Sequence, residues 1–212
     1  MGSRGTDYDA RFARLADEGK YLHGEADLVD TLLGGPPATV LDAGCGTGRV
    51  AVELARRGYR THGVDVDPQM LDAAQAKAPD QSWELCDLAD LDAGGLGADL
   101  VLAAGNVVLF LRPGTLPAVL ANLARALRPG GLLLAGFSLG PRLPFGAALA
   151  DGPAARSVDL AAFDAACADA GLAPVDRWAT WDRDPYDGGD YVVSLHRRQP
   201  PPGAPAPGSA PG

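Results

Sequence analysis

The sequence predicts an α/β domain whose mostly parallel sheet is covered by helices on both faces. Short runs of apolar and β-branched residues alternate along the chain with longer stretches whose apolar residues recur every three or four positions. A strand followed by a helix, repeated several times, is typical of a parallel sheet, because each connecting helix crosses a face of the sheet. The length of 212 residues suits one such domain with additions.

Seven strands are predicted from short apolar runs bounded by turn residues. The first five are expected at residues 39–43, 60–65, 82–87, 98–105 and 132–138. Two more, near 175–181 and 191–195, flank the turn-rich segment DRDPYDGGD and favour an antiparallel hairpin. The prediction is therefore a seven-stranded sheet that is parallel except for its last strand.

The chain divides into three regions by composition. Residues 1–35 predict two helices that form a cap before the sheet domain. Residues 36–198 predict the sheet domain, with a stretch at 139–156 that shows no clear period and is expected to be either a functional loop or disordered. Residues 199–212 are rich in Pro, Gly and Ala and are expected to be disordered, because they cannot bury apolar surface.

Composition argues against several classes of partner. The net charge of −9 disfavours a large footprint on duplex nucleic acid, which needs a clustered basic face. Cys45, Cys86 and Cys167 lie far apart without a CxxC pair, so neither a disulfide framework nor a metal site is expected. No apolar run is long enough for a membrane span, and the polar first residues lack the pattern of a signal peptide. We therefore expect a cytoplasmic protein with no metal, nucleic-acid or membrane partner; the oligomeric state stays open.

Glycine recurs at every second position of the loop in VLDAGCGTGRV, residues 40–50. The loop follows a predicted strand and opens a predicted helix, which is where an open α/β sheet binds ligands. Glycine permits a positive φ and lets a ligand approach the backbone. A P-loop is excluded because no Lys-Ser or Lys-Thr follows, and a dinucleotide fingerprint is disfavoured because Arg49 stands at its third glycine position.

Five motifs follow one another along the chain: VLDAGCGTG, THGVDVDPQML, ELCDLADL, ADLVLAAGNVVLFL and ALRPGGLLLAGF. In this order they resemble the class I S-adenosylmethionine-dependent methyltransferases, and the resemblance covers roughly residues 39–197. It implies a Rossmann-like three-layer sandwich and a methyltransferase that uses S-adenosyl-L-methionine. It does not indicate the methyl acceptor, because fold does not determine substrate.

The resemblance also implies contacts to the methionine and ribose parts of the cofactor. Asp42 would orient the loop and the methionine amino group, directly or through water. Gly44, Cys45 and Gly46 would pass beside the methionine moiety. Asp65 would accept hydrogen bonds from both ribose hydroxyls, as the acid after the second strand does in dinucleotide folds.

The remaining implied contacts concern adenine and the reacting end. Val66 would pack on the adenine ring, Asp87 would accept a hydrogen bond from the adenine amino group, and the backbone N–H of Leu88 would reach a ring nitrogen. Asn106 would contact the methionine part of the cofactor and, as often in the family, the substrate.

Each acid in this set also has a structural interpretation. Asp42 is alternatively a cap for the loop, Asp65 an N-cap for the next helix, and Asp87 a solvated loop residue. Asp67 followed by Pro68 already predicts the N-cap of that helix, which favours the ribose role for Asp65.

No catalytic residue is assigned, since direct in-line displacement requires neither a catalytic triad nor a metal. His62 is expected to be a structural residue of the sheet, and His196 to be exposed near the end of the last strand. His23 and Glu25 are candidates for contact with cofactor or substrate, the alternative being a polar pair at a helix end.

Aromatic and basic side chains offer a few candidates for an acceptor pocket. The aromatic candidates, which are more often core residues, are Tyr21, Phe110, Phe145, Trp178 and Trp181. Phe145 is favoured among them because it lies in the stretch without a period, where Arg142 and Arg156 are candidates for attracting an anionic substrate.

A small-molecule methyltransferase is thus the leading hypothesis. The small acceptor is favoured because the chain is short and its net charge is negative. A non-catalytic module that binds S-adenosylmethionine or S-adenosylhomocysteine is a second one, because the same acids serve cofactor binding in both. A nicotinamide-dependent oxidoreductase is a third, disfavoured by Arg49. The acceptor and the methylated atom are left open.

Overall fold

A single seven-stranded sheet forms the centre of the molecule. The structure is a computed structural model that describes residues 3–139 and 158–200. The strands are β1 (Thr39–Ala43), β2 (Arg60–Asp65), β3 (Ser82–Leu85), β4 (Ala98–Ala103), β5 (Leu127–Ser138), β6 (Leu172–Trp178) and β7 (Tyr191–Arg198). Their order in the sheet is β3-β2-β1-β4-β5-β7-β6.

All strands run parallel except one. β7 pairs antiparallel with both β5 and β6, so it alone runs against the others. This confirms the predicted seven-stranded α/β sandwich with an antiparallel last strand and the predicted late hairpin. The carboxyl ends of the parallel strands meet along one edge, which is the edge that carries ligand sites in such sheets.

Helices cover both faces of the sheet. The helices are α1 (Arg4–Asp17), α2 (Gly24–Leu33), α3 (Arg49–Arg56), α4 (Pro68–Lys77), α5 (Val107–Phe110), α6 (Leu116–Ala126) and α7 (Leu160–Asp169). Side chains of α2 and α3 share one core with alternate strand residues such as Leu100, Leu102 and Leu134. Side chains of α6 and α7 share the opposite core with Val101 and Leu133. Alternation of side chains along each strand thus fills two separate layers.

The predicted elements agree with the structure most closely at the start of the sheet domain. β1 and β2 have the predicted bounds, and Asp67 caps α4 by accepting a hydrogen bond from the backbone N–H of Gln69 at 3.0 Å. The two helices expected before the sheet are α1 and α2. α2 buries Leu28 and Val29 in the core that α3 also shares.

Strand β5 begins five positions earlier than predicted. The sequence PGG at 129–131 indicates a break, yet Leu127 already pairs with Ala98 of β4. The register then shifts before Leu100 pairs with Leu132, so the proline and glycines lie in an irregularity within the strand. Such a bulge accommodates residues that would otherwise end a strand.

The prediction that His196 is exposed is wrong. Its exposed fraction is 1%, because β7 continues to Arg198 and α7 covers this part of the sheet. The imidazole meets the ring of Phe163 edge-on, with centroids 5.7 Å apart. His62, by contrast, lies on the sheet face as expected, between Ser82 Oγ at 2.6 Å and Glu84 Oε2 at 3.0 Å.

Candidate functional site

The glycine loop connects β1 to α3 and is held by the end of β2. The backbone N–H groups of Gly44 and Cys45 both donate to the carbonyl of Val64, at 2.8 and 3.0 Å. Cys45 is buried, and burial raises the pKa of its thiol, so it stays neutral. The loop is therefore attached to β2 through its backbone.

The three loop glycines serve different purposes, although all three have positive φ. A Cβ at Gly44 would lie 2.5 Å from Val107 Cγ2, and one at Gly48 would lie 2.4 Å from the ring of Trp83. A Cβ at Gly46 would have no heavy-atom neighbour within 4 Å. Packing thus excludes side chains at the outer two positions, whereas the space beside Gly46 is open to a ligand.

Asp42, at the end of β1, lies beneath this loop. It is 3% exposed and accepts a hydrogen bond from the backbone N–H of Ala51 at 3.2 Å, in the first turn of α3. Burial raises its pKa to about 7, against the opposing charge of Arg49. This contact joins Asp42 to the start of helix α3, whereas the structural alternative expected for this residue was a cap for the loop.

Asp65, at the end of β2, connects the loop to the start of α4. Its Oδ2 accepts from the N–H of Gly46 at 2.7 Å, and its Oδ1 accepts from the N–H of Asp67 at 2.9 Å. An ionised carboxylate has about four acceptor positions, so two stay available to further donors. The next residue, Val66, is 65% exposed.

Asp87 and Leu88 follow β3. Asp87 accepts from the N–H of Ala89 at 2.9 Å and forms an ion pair with the Nε of Arg112 at 2.8 Å. Leu88 is buried, and its carbonyl accepts from the side-chain amide of Asn122 at 2.9 Å. A cofactor amino group at Asp87 would therefore share the carboxylate with Arg112.

Asn106 joins the carboxyl ends of β4 and β5. It adopts the left-handed conformation, with φ of 68°, which is uncommon for a residue with a side chain. Its Oδ1 accepts from the N–H of Ser138 at 2.7 Å, and its own N–H donates to the carbonyl of Gly136 at 3.2 Å. The hydroxyl of Ser138 is buried and has no hydrogen-bond partner among the residues that the structure describes.

The structure thus places the predicted residues along one edge of the sheet. Asp65 accepts a hydrogen bond from the glycine loop at Gly46, and one residue of the sequence separates Asp42 from Gly44. Asp87 lies on the β3 side of them, and Asn106 on the β4 and β5 side.

The contacts of two residues near the loop, Thr47 and Arg49, had no signal in the sequence. The hydroxyl of Thr47, inside the loop, donates to Asp9 Oδ1 at 2.6 Å, across 38 positions of sequence. Arg49 forms an ion pair with Glu25, donates to the carbonyl of Leu22, and lies over the ring of Phe12 with 4.7 Å from Cζ to the centroid. The residues before β1 therefore reach the loop itself.

The other candidates are distributed differently. His23 Nδ1 lies 4.0 Å from Glu53 Oε2, while Glu25 is engaged by Arg49. Trp178 is buried, and Trp181 packs against the same core and donates to Tyr191 Oη at 3.1 Å.

The remaining pocket candidates are two exposed aromatic residues and three residues of the stretch 139–156. Tyr21 and Phe110 are exposed. Phe145, Arg142, Arg156 and the tail from 201 to 212 lie outside the described residues.

Neither a membrane-spanning helix nor a metal cluster is found in residues 3–139 and 158–200. No helix there is both long enough and apolar enough to cross a membrane. No group of three or more His, Cys, Asp or Glu side chains in this part of the chain is arranged to hold a metal ion.

Comparison with known proteins gives similarity over different lengths. A family model described as a methyltransferase domain matches residues 40–131. A TehB-like S-adenosylmethionine-dependent methyltransferase from Corynebacterium glutamicum, of known structure, is 30% identical with a TM-score of 0.79, and the match covers 92% of this chain and 98% of that one.

Two curated relatives match over shorter regions. The magnesium-protoporphyrin O-methyltransferase of Rhodobacter capsulatus is 38% identical over 91 residues, which cover 41% of this chain and 38% of the relative. Human methyltransferase-like protein 27 is 37% identical over 132 residues, 60% of this chain and 51% of the relative. The chain thus spans about half or less of the length of these relatives.

The similarity to the Corynebacterium protein extends over nearly the whole of both chains, and the strand order and antiparallel β7 agree with the fold that the motifs imply. The chain therefore belongs to the class I S-adenosylmethionine-dependent methyltransferases, whose cofactor is S-adenosyl-L-methionine.

Proposed function

We propose that this protein transfers the methyl group of S-adenosyl-L-methionine to a small-molecule acceptor by direct in-line displacement. The observation that carries the proposal is the opening beside Gly46. There, a loop backbone with positive φ, an acceptor-rich carboxylate at Asp65 and the exposed side chain of Val66 lie next to one another.

The residues at this opening fit the cofactor. Gly46 and Gly105, which follow β1 and β4, both have free space where a Cβ would stand. Asp65 retains two acceptor positions, enough for the two hydroxyls of a ribose. Val66 presents an apolar side chain to solvent at the end of β2, as a surface for a flat base.

Each predicted site residue has a role in this proposal. Asp42 would receive the cofactor's ammonium group; Gly44, Cys45 and Gly46 would line its methionine part; Asp65 would hold the ribose. Val66, Asp87 and Leu88 would bind the adenine, and Asn106 would face the reacting end.

The chemistry that the cofactor supplies when bound is a methyl group activated by a sulfonium. The task left to the protein is to hold an acceptor in line with that group, and such positioning is worth up to roughly 7–11 kcal/mol in model reactions. Asn106 and the end of β5 form the rim on which an acceptor would rest, since Asn106 makes two hydrogen bonds to the β5 backbone, one through its side-chain oxygen and one through its own N–H. We assign no general base.

A small acceptor in the cytoplasm is supported by charge and by relatives. The net charge of −9 is unfavourable for nucleic-acid substrates. The Rhodobacter relative is named as a magnesium-protoporphyrin O-methyltransferase. Cys45, Cys86 and Cys167 are all free thiols, as in proteins of a reducing compartment.

Methyl transfer can be tested directly with tritium-labelled S-adenosylmethionine. The protein is incubated with the label, a cell extract that retains its proteins and nucleic acids, and simple phenols, amines and carboxylic acids, and the products are separated by size. Labelled small products that are lost in Asp65→Ala would support the proposal. Label found only on added proteins or nucleic acids would contradict the small acceptor, and S-adenosylhomocysteine binding without any transfer would favour a non-catalytic module.

A further inference from the structure

Helix α1 contacts α4, the glycine loop and α3 in turn along its length. Its first turn rests on the start of α4, where the N–H of Arg4 donates to Gln69 Oε1 at 3.0 Å. A Cβ at Gly5 would lie 2.6 Å from the carbonyl oxygen of Gln69, so the two helices touch closely. Its third turn places Phe12 against Arg49, the first residue of α3. Between these two points, α1 passes the glycine loop.

The contact to the loop is made by one carboxylate. Asp9 Oδ1 accepts from the hydroxyl of Thr47 at 2.6 Å, and Lys77 Nζ lies 2.9 Å from the same carboxylate. The two partners differ in burial. Thr47 is fully buried, whereas the side chain of Lys77 is 37% exposed. The ion pair with Lys77 is therefore a weak surface interaction, and the hydrogen bond from Thr47 is the stronger of the two.

Thr47 is placed where its orientation affects the ligand opening. It follows Gly46, whose N–H binds Asp65 and whose free side is the opening itself. It precedes Gly48, where an added Cβ would lie 2.4 Å from the ring of Trp83. The hydroxyl of Thr47 would lose its partner in a buried position if Asp9 were absent, and such a loss costs more than an exposed hydrogen bond. The backbone at residues 46–47 would then rearrange.

We propose that Asp9 is a positioning residue for the cofactor: through Thr47 it holds the glycine loop in the conformation that binds the methionine nucleoside. The inference rests on the proposed cofactor site. Asp9 lies outside the region that the methyltransferase family model matches. It acts through Thr47 and touches no reacting atom.

The alternative is that Asp9 only helps α1 to pack. α1 buries little of itself, with Gly5 its one buried residue, so polar contacts hold it in place. A packing role would change stability without a specific effect on the loop. The two roles differ in whether the effects of Asp9 and Thr47 on ligand binding depend on each other.

A double-mutant cycle with S-adenosylhomocysteine as the probe separates them. The dissociation constant is measured by calorimetry for wild type, Asp9→Ala, Thr47→Val and the double variant, with thermal unfolding recorded in parallel without ligand. We expect each single change to weaken binding about tenfold, in line with a buried hydrogen bond to a charged group. The double variant should bind S-adenosylhomocysteine with about the same dissociation constant as each single variant.

Three further variants serve as controls. Asp9→Asn keeps an oxygen that accepts from Thr47 and should bind within about threefold of wild type. Lys77→Met removes only the exposed ion pair, and Arg4→Gln only the exposed contact of Arg4 with Asp67. Both should stay within about twofold of wild type, since exposed pairs contribute little.

The outcomes separate this inference from the proposed function. Wild-type binding with unchanged affinity in Asp9→Ala and Thr47→Val would overturn the positioning role, as would losses that simply add in the double variant. Unfolding midpoints that fall while affinity stays constant would assign Asp9 to packing. If Asp9→Ala does not fold, Thr47→Val and Asp9→Asn decide the same question. Absence of binding by folded wild-type protein would contradict the cofactor site itself, and the inference with it.

Discussion

Asp65 accepts a hydrogen bond from the backbone N–H of Gly46 at 2.7 Å, which joins the end of β2 to the middle of the glycine loop. The two residues are 19 positions apart, and the contact exists because β1 and β2 are adjacent parallel strands that end at the same level. A carboxylate that orders the loop and still has free acceptor positions can serve structure and ligand together.

Gly46→Ala is expected to abolish cofactor binding while the protein stays folded. An alanine at φ of 55° costs about 1 kcal/mol of folding free energy, and its methyl group enters the open space proposed for the ligand. Gly44→Ala is the matched control for stability. Its methyl group would overlap Val107, so it should lower the free energy of unfolding more than Gly46→Ala does. Urea unfolding and titration with S-adenosylhomocysteine check both variants. Normal binding by Gly46→Ala would show that the ligand does not use this opening.

Asp42 is expected to make cofactor binding depend on pH. Burial raises its pKa to about 7, so it is partly protonated at neutral pH in the free protein. If the carboxylate receives the ammonium of the ligand, affinity for S-adenosylhomocysteine should increase as pH rises from 6 to 8, by up to about tenfold per pH unit below the pKa. Asp42→Asn should bind more weakly and with less dependence on pH. Parallel curves for the two proteins would remove Asp42 from the ammonium site.

His196 is expected to lower stability in mild acid. Burial lowers its pKa below 6.5, so the folded state resists a proton that the unfolded chain accepts. The free energy of unfolding should therefore decrease as pH falls below about 6.5 and be unaffected by this group above that value. His196→Phe, which cannot titrate, should show a smaller decrease between pH 7 and 5 in urea unfolding. Asp42 titrates in both proteins, so the comparison isolates His196, and identical slopes would contradict the prediction.

Ser138→Ala is expected to stabilise the ligand-free protein. The hydroxyl is buried and has no partner within residues 3–139 and 158–200, so its removal should raise the free energy of unfolding by about 1 kcal/mol. The backbone N–H of Ser138 would still bind Asn106. Chemical denaturation of the variant and the wild type tests this, with Ser194→Ala as a second buried serine. A loss of stability in Ser138→Ala would mean that the hydroxyl has a partner in solution.

Local chemistry explains which elements the sequence predicts well. β1 and β2 have the predicted bounds because each is a short buried run between turn residues. The Asp67 cap is also correct, since capping depends on neighbours along the chain. β5 shows the limit of this reasoning, because the pairing of Leu127 with Ala98 comes from a neighbouring strand and not from local sequence.

Contacts between distant residues explain what the sequence could not predict. His196 is buried because α7 brings Phe163 against it. The hydrogen bond of Thr47 to Asp9 joins a loop to a helix. The two residues are 38 positions apart, and no sequence pattern indicates that they meet. The roles of the other site residues follow from the family resemblance and stay predictions until a ligand is measured.

Calorimetric titration with S-adenosylhomocysteine, on the wild type and on Asp65→Ala, tests the central claim most directly. Asp67→Asn is the control, because it changes the neighbouring helix cap and leaves the acceptor carboxylate in place. We expect micromolar binding by the wild type, similar binding by Asp67→Asn and a loss of at least about tenfold in Asp65→Ala. Folded wild-type protein that does not bind, or equal binding by Asp65→Ala, would contradict the site described at the end of β2.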